Sequence, residues 1–294
     1  MRSGRRTHIT RAANELRKDP VAGEWVLIAP NRVKRPRDFA RRIRRKPTPV
    51  SQCLFEHPQA SGNAPPILEY RKGSDWEVQV ITNKYPAVLH KDSCAVIRTD
   101  GIFTSVEGVG YHELVLTRGH RANFPKLSSH AARLVFRALK ERYRFFAKDK
   151  CLRYISMFHN WGSSAGASVY HPHYQIIALP IVPFRVQESL RASKAHRAAY
   201  GTCIHCRIIA EEKKHRKRIV YENRHAVVFV PFAPQEPFEL RVFPKAHGAY
   251  FEHAPEKVIS AMIDALRFSL ARIERKLNFP DYNFFIHTAP IHRV

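Results

Sequence analysis

The stretch Tyr170-His171-Pro172-His173-Tyr174-Gln175 places three ligand-binding or nucleophilic side chains at alternate positions, then runs into the apolar Ile176-Ile177-Ala178-Leu179. On a strand, a period of two turns His171, His173 and Gln175 to one face. Aligned polar groups at the head of a buried strand are costly unless they bind something. Imidazole, with a reference pKa of about 6.5, is largely unprotonated at neutral pH and forms covalent intermediates as a nucleophile. A neighbouring amide such as that of Gln175 can donate to a phosphoryl oxygen without competing for the proton. Upstream, Gly162 to Ser168 (Gly-Ser-Ser-Ala-Gly-Ala-Ser) offers backbone N–H groups and hydroxyls to a closely approaching phosphate. Alone that stretch reads as a flexible loop; joined to His-x-His-x-Gln it predicts a phosphate-facing site.

Of the five cysteines, Cys53, Cys94, Cys151, Cys203 and Cys206, only Cys203-Ile-His-Cys206 has a spacing that carries meaning alone. It reads first as two zinc ligands and second as a redox pair. An odd count spread over a long chain is not the pattern of a small secreted disulfide scaffold.

The elements that must position these groups occur twice, in the same order. Cys53-Leu-Phe-Glu56 answers Cys203-Ile-His-Cys206, and Asn83-Lys-Tyr-Pro-Ala-Val answers Asn223-Arg-His-Ala-Val-Val. Glu113-Leu-Val-Leu running to His120 answers Glu239-Leu-Arg-Val running to His247. Apolar spacing of three and four then predicts helices over 127–147 and 255–277. Each helix precedes a short apolar segment ending in histidine, Tyr154 to His159 and Tyr282 to His287. His120 and His159 are 39 residues apart, and His247 and His287 are 40 apart. A repeat this long indicates two copies of one domain, not a solenoid. Strands followed by a helix and a further strand predict an α+β fold, each copy a mainly antiparallel sheet with one long amphipathic helix. The boundary is expected near residue 190, giving an N-terminal module over 1–190 and a C-terminal module over 191–294.

The composition is globular, with 294 residues, 44% hydrophobic and 11% aromatic, which excludes collagen-like and wholly disordered chains. No run approaches the roughly 18 uncharged apolar residues of a membrane span, and the Arg-rich first residues lack an apolar secretory core. A soluble, cytoplasmic protein is expected. The formal charge of +25 raises the alternative of a nucleic-acid-binding protein, through clusters such as Arg41 to Lys46 and Lys213 to Arg218. No nucleic-acid motif accompanies them, so a solvated basic surface is expected instead.

The order of motifs resembles the galactose-1-phosphate uridylyltransferase family, a two-repeat branch of the histidine-triad superfamily. The resemblance rests on Asp19-Pro-Val-Ala-Gly-Glu-Trp-Val-Leu-Ile-Ala-Pro-Asn-Arg32-Val-Lys34-Arg35-Pro, on Asn83-Lys-Tyr-Pro-Ala, and on Asn160 through Gln175. It implies two tandem histidine-triad-like modules, usually dimerised, and a nucleotidyltransferase moving UMP between a UDP-sugar and a hexose 1-phosphate. His173 would attack the α-phosphorus, sugar 1-phosphate would leave, and Gln175 would stabilise the transferred phosphate. Gln175 stands where hydrolytic triad enzymes have a third histidine, which favours transfer over hydrolysis. Arg32, Arg35, Asn83, Asn160, Gly166 and Ser168 fall on positions that hold the nucleotide and its phosphates. Cys53, His120 and His171 fall on a zinc site, with Glu56 in place of its second cysteine; a carboxylate also ligates zinc. Cys203, Cys206 and His247 form a second set of three. The 51-residue step from His120 to His171 has no counterpart from His247 before Val294. His287, His292 or water is therefore expected as the fourth ligand, in a C-terminal module lacking its last strand. An adenylyl-specific phosphorylase acting on ADP-sugars or dinucleoside polyphosphates would use the same His173, and a degenerate non-catalytic relative is a further reading.

Overall fold

The computed structural model describes residues 14–29 and 48–292. In chain order the strands and helices are β1 (Glu15–Lys18), β2 (Trp25–Ile28), β3 (Leu68–Lys72), β4 (Asp75–Thr82), β5 (Ile97–Asp100), β6 (Phe103–Val106), β7 (Tyr111–Thr117) and α1 (Ser129–Phe146). There follow β8 (Tyr154–Trp161), β9 (His173–Leu179), α2 (Phe184–Tyr200), α3 (Ile204–His215), β10 (Ile219–Glu222), β11 (Ala226–Phe229), β12 (Arg241–Pro244), α4 (Glu256–Lys276) and β13 (Tyr282–Ile286). The fold is α+β with antiparallel pairing throughout these strands, as the sequence implied. The helices expected over 127–147 and 255–277 are α1 and α4.

Helix α1 starts where Ser128 accepts a hydrogen bond from the Ala131 N–H at 3.0 Å, satisfying one of the donors a helix start leaves unpaired. Its buried residues Ala132, Val135, Phe136, Leu139, Tyr143 and Phe146 recur at steps of three and four and form one apolar stripe. That stripe lies on the sheet β13-β8-β9-β7-β4-β3. Complete burial of a side chain such as Leu139 or Phe146 stabilises the fold by about 1.5–3 kcal/mol. Helix α4 covers the smaller sheet β10-β11-β12 through Ala265, Ala261 and Met262, and meets the first core through Ile259, Ile263 and Leu270.

The second half closes on the first. Strand β13 pairs with β8, matching Tyr282 with Trp161 and Ile286 with Met157, so the last strand of the chain's second part extends the first part's sheet. In the first part β9 lies between β7 and β8; among the described residues no strand lies in the equivalent place between β12 and β13. Cys94 and Cys151 form a disulfide that spacing alone did not single out. Among the described residues no helix is long and apolar enough to cross a membrane. Within Lys213 to Arg218, Arg218 pairs with Glu212 at 2.8 Å, and Lys213 and Arg216 both pair with Glu222. Those cations are committed within the protein. Arg41 to Lys46 lie outside the described residues.

Strand β7 carries a polar residue into the core. Glu113 is 3% exposed, and Arg142 of α1 donates to both its oxygens at 2.7 Å. Burial still holds the Glu113 carboxyl above its usual range, so desolvation outweighs the pairing. Removing the guanidinium leaves a buried carboxylate alone, and Arg142→Ala is expected to cost about 3–5 kcal/mol of stability by chemical denaturation. Arg133→Ala, whose 3.8 Å pair with Asp264 is half exposed, is expected to change it by less than about 1 kcal/mol.

Candidate active site and metal-ligand clusters

The register of the large sheet sorts its side chains. Opposite Leu114 and Leu116 of β7 stand Gln175 and His173 of β9, and opposite Gln175 on β8 stands Phe158. These residues share the face turned away from α1. Tyr174 points the other way, fully buried, with its ring 4.6 Å from His159 and 6.0 Å from Phe124. The bulky Tyr174 is therefore core and leaves the face of His173 clear, as alternation along a strand requires.

A main-chain carbonyl only accepts hydrogen bonds, so a ring nitrogen beside one must carry the proton. His173 Nδ1 lies 2.9 Å from the His171 carbonyl and is thereby protonated. Nε2 keeps its lone pair. Burial lowers the His173 pKa, which favours this neutral form. The ring of Phe55 stands edge-on at 5.4 Å and screens one side of the imidazole. Gln175 is half-buried two residues along, on the same face.

His171 is wholly buried and turned over by its own tie. Its Nε2 donates to the Thr117 carbonyl at 2.6 Å, and its Nδ1 lies 3.4 Å from Cys53 Sγ. Burial pushes its pKa down to about 4, so Nδ1 offers a lone pair. His120 repeats the pattern, its Nε2 donating to the Thr48 carbonyl at 2.8 Å. The turn from Cys53 to Glu56, closed by Glu56 N–H on the Cys53 carbonyl at 3.2 Å, brings Sγ and the carboxylate to the same point. Glu56 Oε2 is 3.7 Å from His120 Nδ1 and 3.9 Å from His171 Nδ1; it and His120 Nδ1 are buried and have no hydrogen-bond partner among the described residues. Arg118 pairs with Oε1, the other oxygen. Burial raises the Cys53 thiol pKa above its usual value, the expected state of a thiol with no cation beside it.

Four donor atoms within 4.8 Å of one another fit a metal ion. Zinc bonds of about 2.3 Å to sulfur and 2.0–2.1 Å to nitrogen at tetrahedral angles separate the two ligand atoms by roughly 3.5 Å. The 3.4 Å between Cys53 and His171 and the 3.3 Å between Cys206 Sγ and His247 Nδ1 both match. Cys203, Cys206 and His247 form the second set, which is more exposed, with three donors among the described residues. Among the described residues neither His287 nor His292 joins it, so of the three fourth ligands expected the water remains. His292 Nε2 instead donates to the Asp149 carbonyl at 3.2 Å, because the chain after β13 turns back over the first half.

The segment after β8 is a built turn, not a loose loop. Gly162 (φ 92°) and Gly166 (φ 84°) flank a 3-10 turn, Ser163–Ala165, in backbone conformations that disfavour side chains. Its amides are largely used: Ser164 N–H donates to Asp281 Oδ2 at 2.9 Å, and those of Ala165, Gly166 and Ala167 go to carbonyls of the turn. The expected nest of free amides is thus reduced, and the segment presents the hydroxyls of Ser163, Ser164 and Ser168, all exposed. Asn160 lies beside Gly166, and its Oδ1 accepts from Asn283 of β13 at 2.7 Å. Asn283 also donates to the Ala165 carbonyl at 2.7 Å. Asn83 sits at the far end of β4, next to His112. Arg32 and Arg35 lie outside the described residues.

Sequence reasoning overlooked Asp281 and Asn283, Phe55, and the Thr48 and Thr117 carbonyls. Asn283 alone lay in a segment that the repeat singled out, Tyr282 to His287 aligned with Tyr154 to His159, and nothing local says that one copy pairs with the other.

Residues 72–271 match a family model described as "Domain of unknown function (DUF4921)". The chain is 33% identical over 281 residues to an ADP-glucose phosphorylase of Arabidopsis thaliana, covering 94% of this chain and 79% of that one. It is 28% identical over 290 residues to a galactose-1-phosphate uridylyltransferase of Thermotoga maritima, covering 93% and 84%. The solved Arabidopsis ADP-glucose phosphorylase with bound ADP-glucose superposes with a TM-score of 0.79 at 30% identity, over 96% of this chain and 84% of that one. A solved uridylyltransferase gives 0.70 at 28%, over 96% and 82%.

A Cβ on Gly162 would fall 2.0 Å from Asp281 Oδ1, whereas one on Gly166 would meet nothing closer than Asn160 Nδ2 at 3.5 Å. Both Gly162→Ala and Gly166→Ala incur about 1–3 kcal/mol of backbone strain. Only the first also displaces Asp281, so urea denaturation is expected to show the larger loss for Gly162→Ala.

Proposed function

Because the chain belongs to the galactose-1-phosphate uridylyltransferase-like family, which includes the DUF4921 domain, we propose that it transfers a nucleotide through a covalent nucleotidyl-His173 intermediate. The observation that carries this reading is the His173 Nδ1 bond to the His171 carbonyl, which leaves Nε2 as an unprotonated nucleophile on the same face as Gln175. Nε2 attacks the α-phosphorus of a nucleoside diphosphate sugar, the phosphoanhydride bond breaks, and sugar 1-phosphate leaves. The nucleotidylated ring, now bearing an Nε2–P bond, becomes an imidazolium, whose Nδ1–H stays on a carbonyl that stabilises its charge. The Gln175 amide and the Ser168 hydroxyl donate to the phosphoryl oxygens, while Asn83, Asn160, Arg32 and Arg35 hold the nucleotide. A phosphate acceptor then attacks the same phosphorus and restores His173.

An ADP-sugar as donor and inorganic phosphate as acceptor are supported by the higher identity to the plant ADP-glucose phosphorylase. A UDP-sugar and a hexose 1-phosphate, the pair belonging to galactose metabolism, are the second reading, supported by the Thermotoga relative. Mass spectrometry after incubation with ADP-glucose or UDP-glucose separates them. An added AMP on His173 is expected, lost on adding phosphate with release of ADP. UMP alone would move the assignment to uridylyl transfer, and no adduct from either donor would overturn both.

The Cys53, Glu56, His120 and His171 set, and the Cys203, Cys206 and His247 set, would hold zinc. A zinc ion with four protein donors supplies a structural cross-link, because no coordination position stays open. Elemental analysis of purified protein is expected to find about two zinc ions per chain. Cys53→Ala and Cys203→Ala should each remove about one, with a loss of thermal stability; zinc content unchanged by either substitution would refute the assignment.

A further inference from the structure

His112 lies on β7 with its ring on the same sheet face as Gln175 and His173, and no step above uses it. It is 7% exposed. Its Nδ1 lies 3.0 Å from the backbone N–H of Ala87, a group that only donates. Nδ1 must therefore be the bare nitrogen, and in the neutral ring Nε2 carries the proton. Burial lowers the His112 pKa and keeps the ring neutral. Nε2 lies 3.0 Å from Gln175 Oε1, so the imidazole donates to the glutamine oxygen. That settles which way the Gln175 amide faces: its oxygen is held by His112, and its NH2, unpaired among the described residues, is left for a ligand.

The other side of His112 reaches the Asn83 segment. The Asn83 amide N–H donates to the His112 carbonyl at 2.9 Å. Asn83 Nδ2 lies 3.1 Å from Nε2 and 3.4 Å from Nδ1, and near-equal distances to both ring nitrogens place it over the ring face. Asn83 Oδ1 accepts from the Tyr85 N–H at 3.0 Å, so the side-chain NH2 is the end that meets the ring. One imidazole thus joins the segment carrying Asn83 to the amide carrying the phosphoryl donor.

Resting on the nucleotidyl-transfer reading, we propose that His112 is a positioning residue, which fixes Gln175 with its NH2 toward the transferred phosphoryl group and ties that orientation to the Asn83 nucleotide segment. Without the His112 donor the amide is free to rotate by half a turn and present its oxygen, which repels phosphoryl oxygens.

Single-turnover formation of nucleotidyl-His173 tests this. His112→Asn keeps an acceptor for Ala87 but stops short of Gln175, and is expected to slow the step about tenfold, the worth of one hydrogen bond of about 1.4 kcal/mol, with donor affinity changed less than the rate. His112→Gln, whose amide can both accept from Ala87 and donate to Gln175, is expected to recover most of that loss. In a Gln175→Ala background His112→Asn should have no further effect, because the group it positions is gone. An equal loss in both backgrounds, a His112→Gln rate as low as that of His112→Asn, or a wild-type rate for His112→Asn would overturn the proposal. Failure of wild-type protein to form any adduct would instead sink the nucleotidyl-transfer reading. Thermal midpoints of all the variants identify any loss due to unfolding.

Discussion

Four histidine rings around the head of β9 are tied through one nitrogen to a main-chain carbonyl: His120 to Thr48, His171 to Thr117, His173 to His171, and His159 to His173. Because a carbonyl cannot donate, each bond decides which nitrogen holds the proton and which holds the lone pair. The same bond orients the ring. In His120 and His171 the tie is through Nε2, which turns Nδ1 toward Cys53 and Glu56. In His173 it is through Nδ1, which turns Nε2 outward. Identical side chains in one short segment are thus divided into proposed ligand and proposed nucleophile by which carbonyl they meet.

The carbonyls are in place because the sheet is. Thr117 ends β7, His173 begins β9, which pairs with it, and His171 lies two residues before, so the bond from His171 to Thr117 forms just beyond two strands already locked in register. Behind them His159 of β8 donates to the His173 carbonyl at 2.7 Å from the core side, in a cage that includes Tyr174 and Phe284. Burial pushes His159 down to about 3, so it stays neutral and the bond stays a simple donation. The His173 backbone is therefore held from the α1 side of the sheet while its ring faces the other. Strand β13 completes the site, its flank carrying Asp281 and Asn283 against the turn that follows β8. The second half of the chain thus shapes the first half's site, although it contributes none of the His-x-His-x-Gln residues.

Alternation made the face of His171, His173 and Gln175 legible from sequence, and helical spacing made α1 and α4 legible to within two residues of each end. The first ligand set was implied by the family resemblance, and the second by the same order of residues in the other repeat. Three things were out of reach because they depend on which strands meet. The addition of β13 to β8 is a pairing between copies, whereas a repeat advertises only similarity between them. The use of the Ser164 amide depends on Asp281, more than a hundred residues away. The role of His112 depends on the Ala87 N–H, a backbone group with no sequence signature at all. Single polar residues in a buried strand are usually satisfied locally, and only the register shows that His112 is satisfied by the catalytic glutamine proposed for the site.

His171 belongs to both parts of this arrangement, since its side chain is in the Cys53 set and its carbonyl holds the His173 proton. A disturbance of the Cys53 set therefore reaches His173 through one residue, without needing a longer route. Pro172 limits the freedom between the two, because its ring fixes its own φ and restricts His171 to extended backbone. The second set has no comparable link: Cys203, Cys206 and His247 lie at the start of α3 and after β12, and no residue between them contributes to the His173 face. The two sets occupy matching places in the repeat, but only the first sits where its geometry can set the tautomer of the proposed nucleophile.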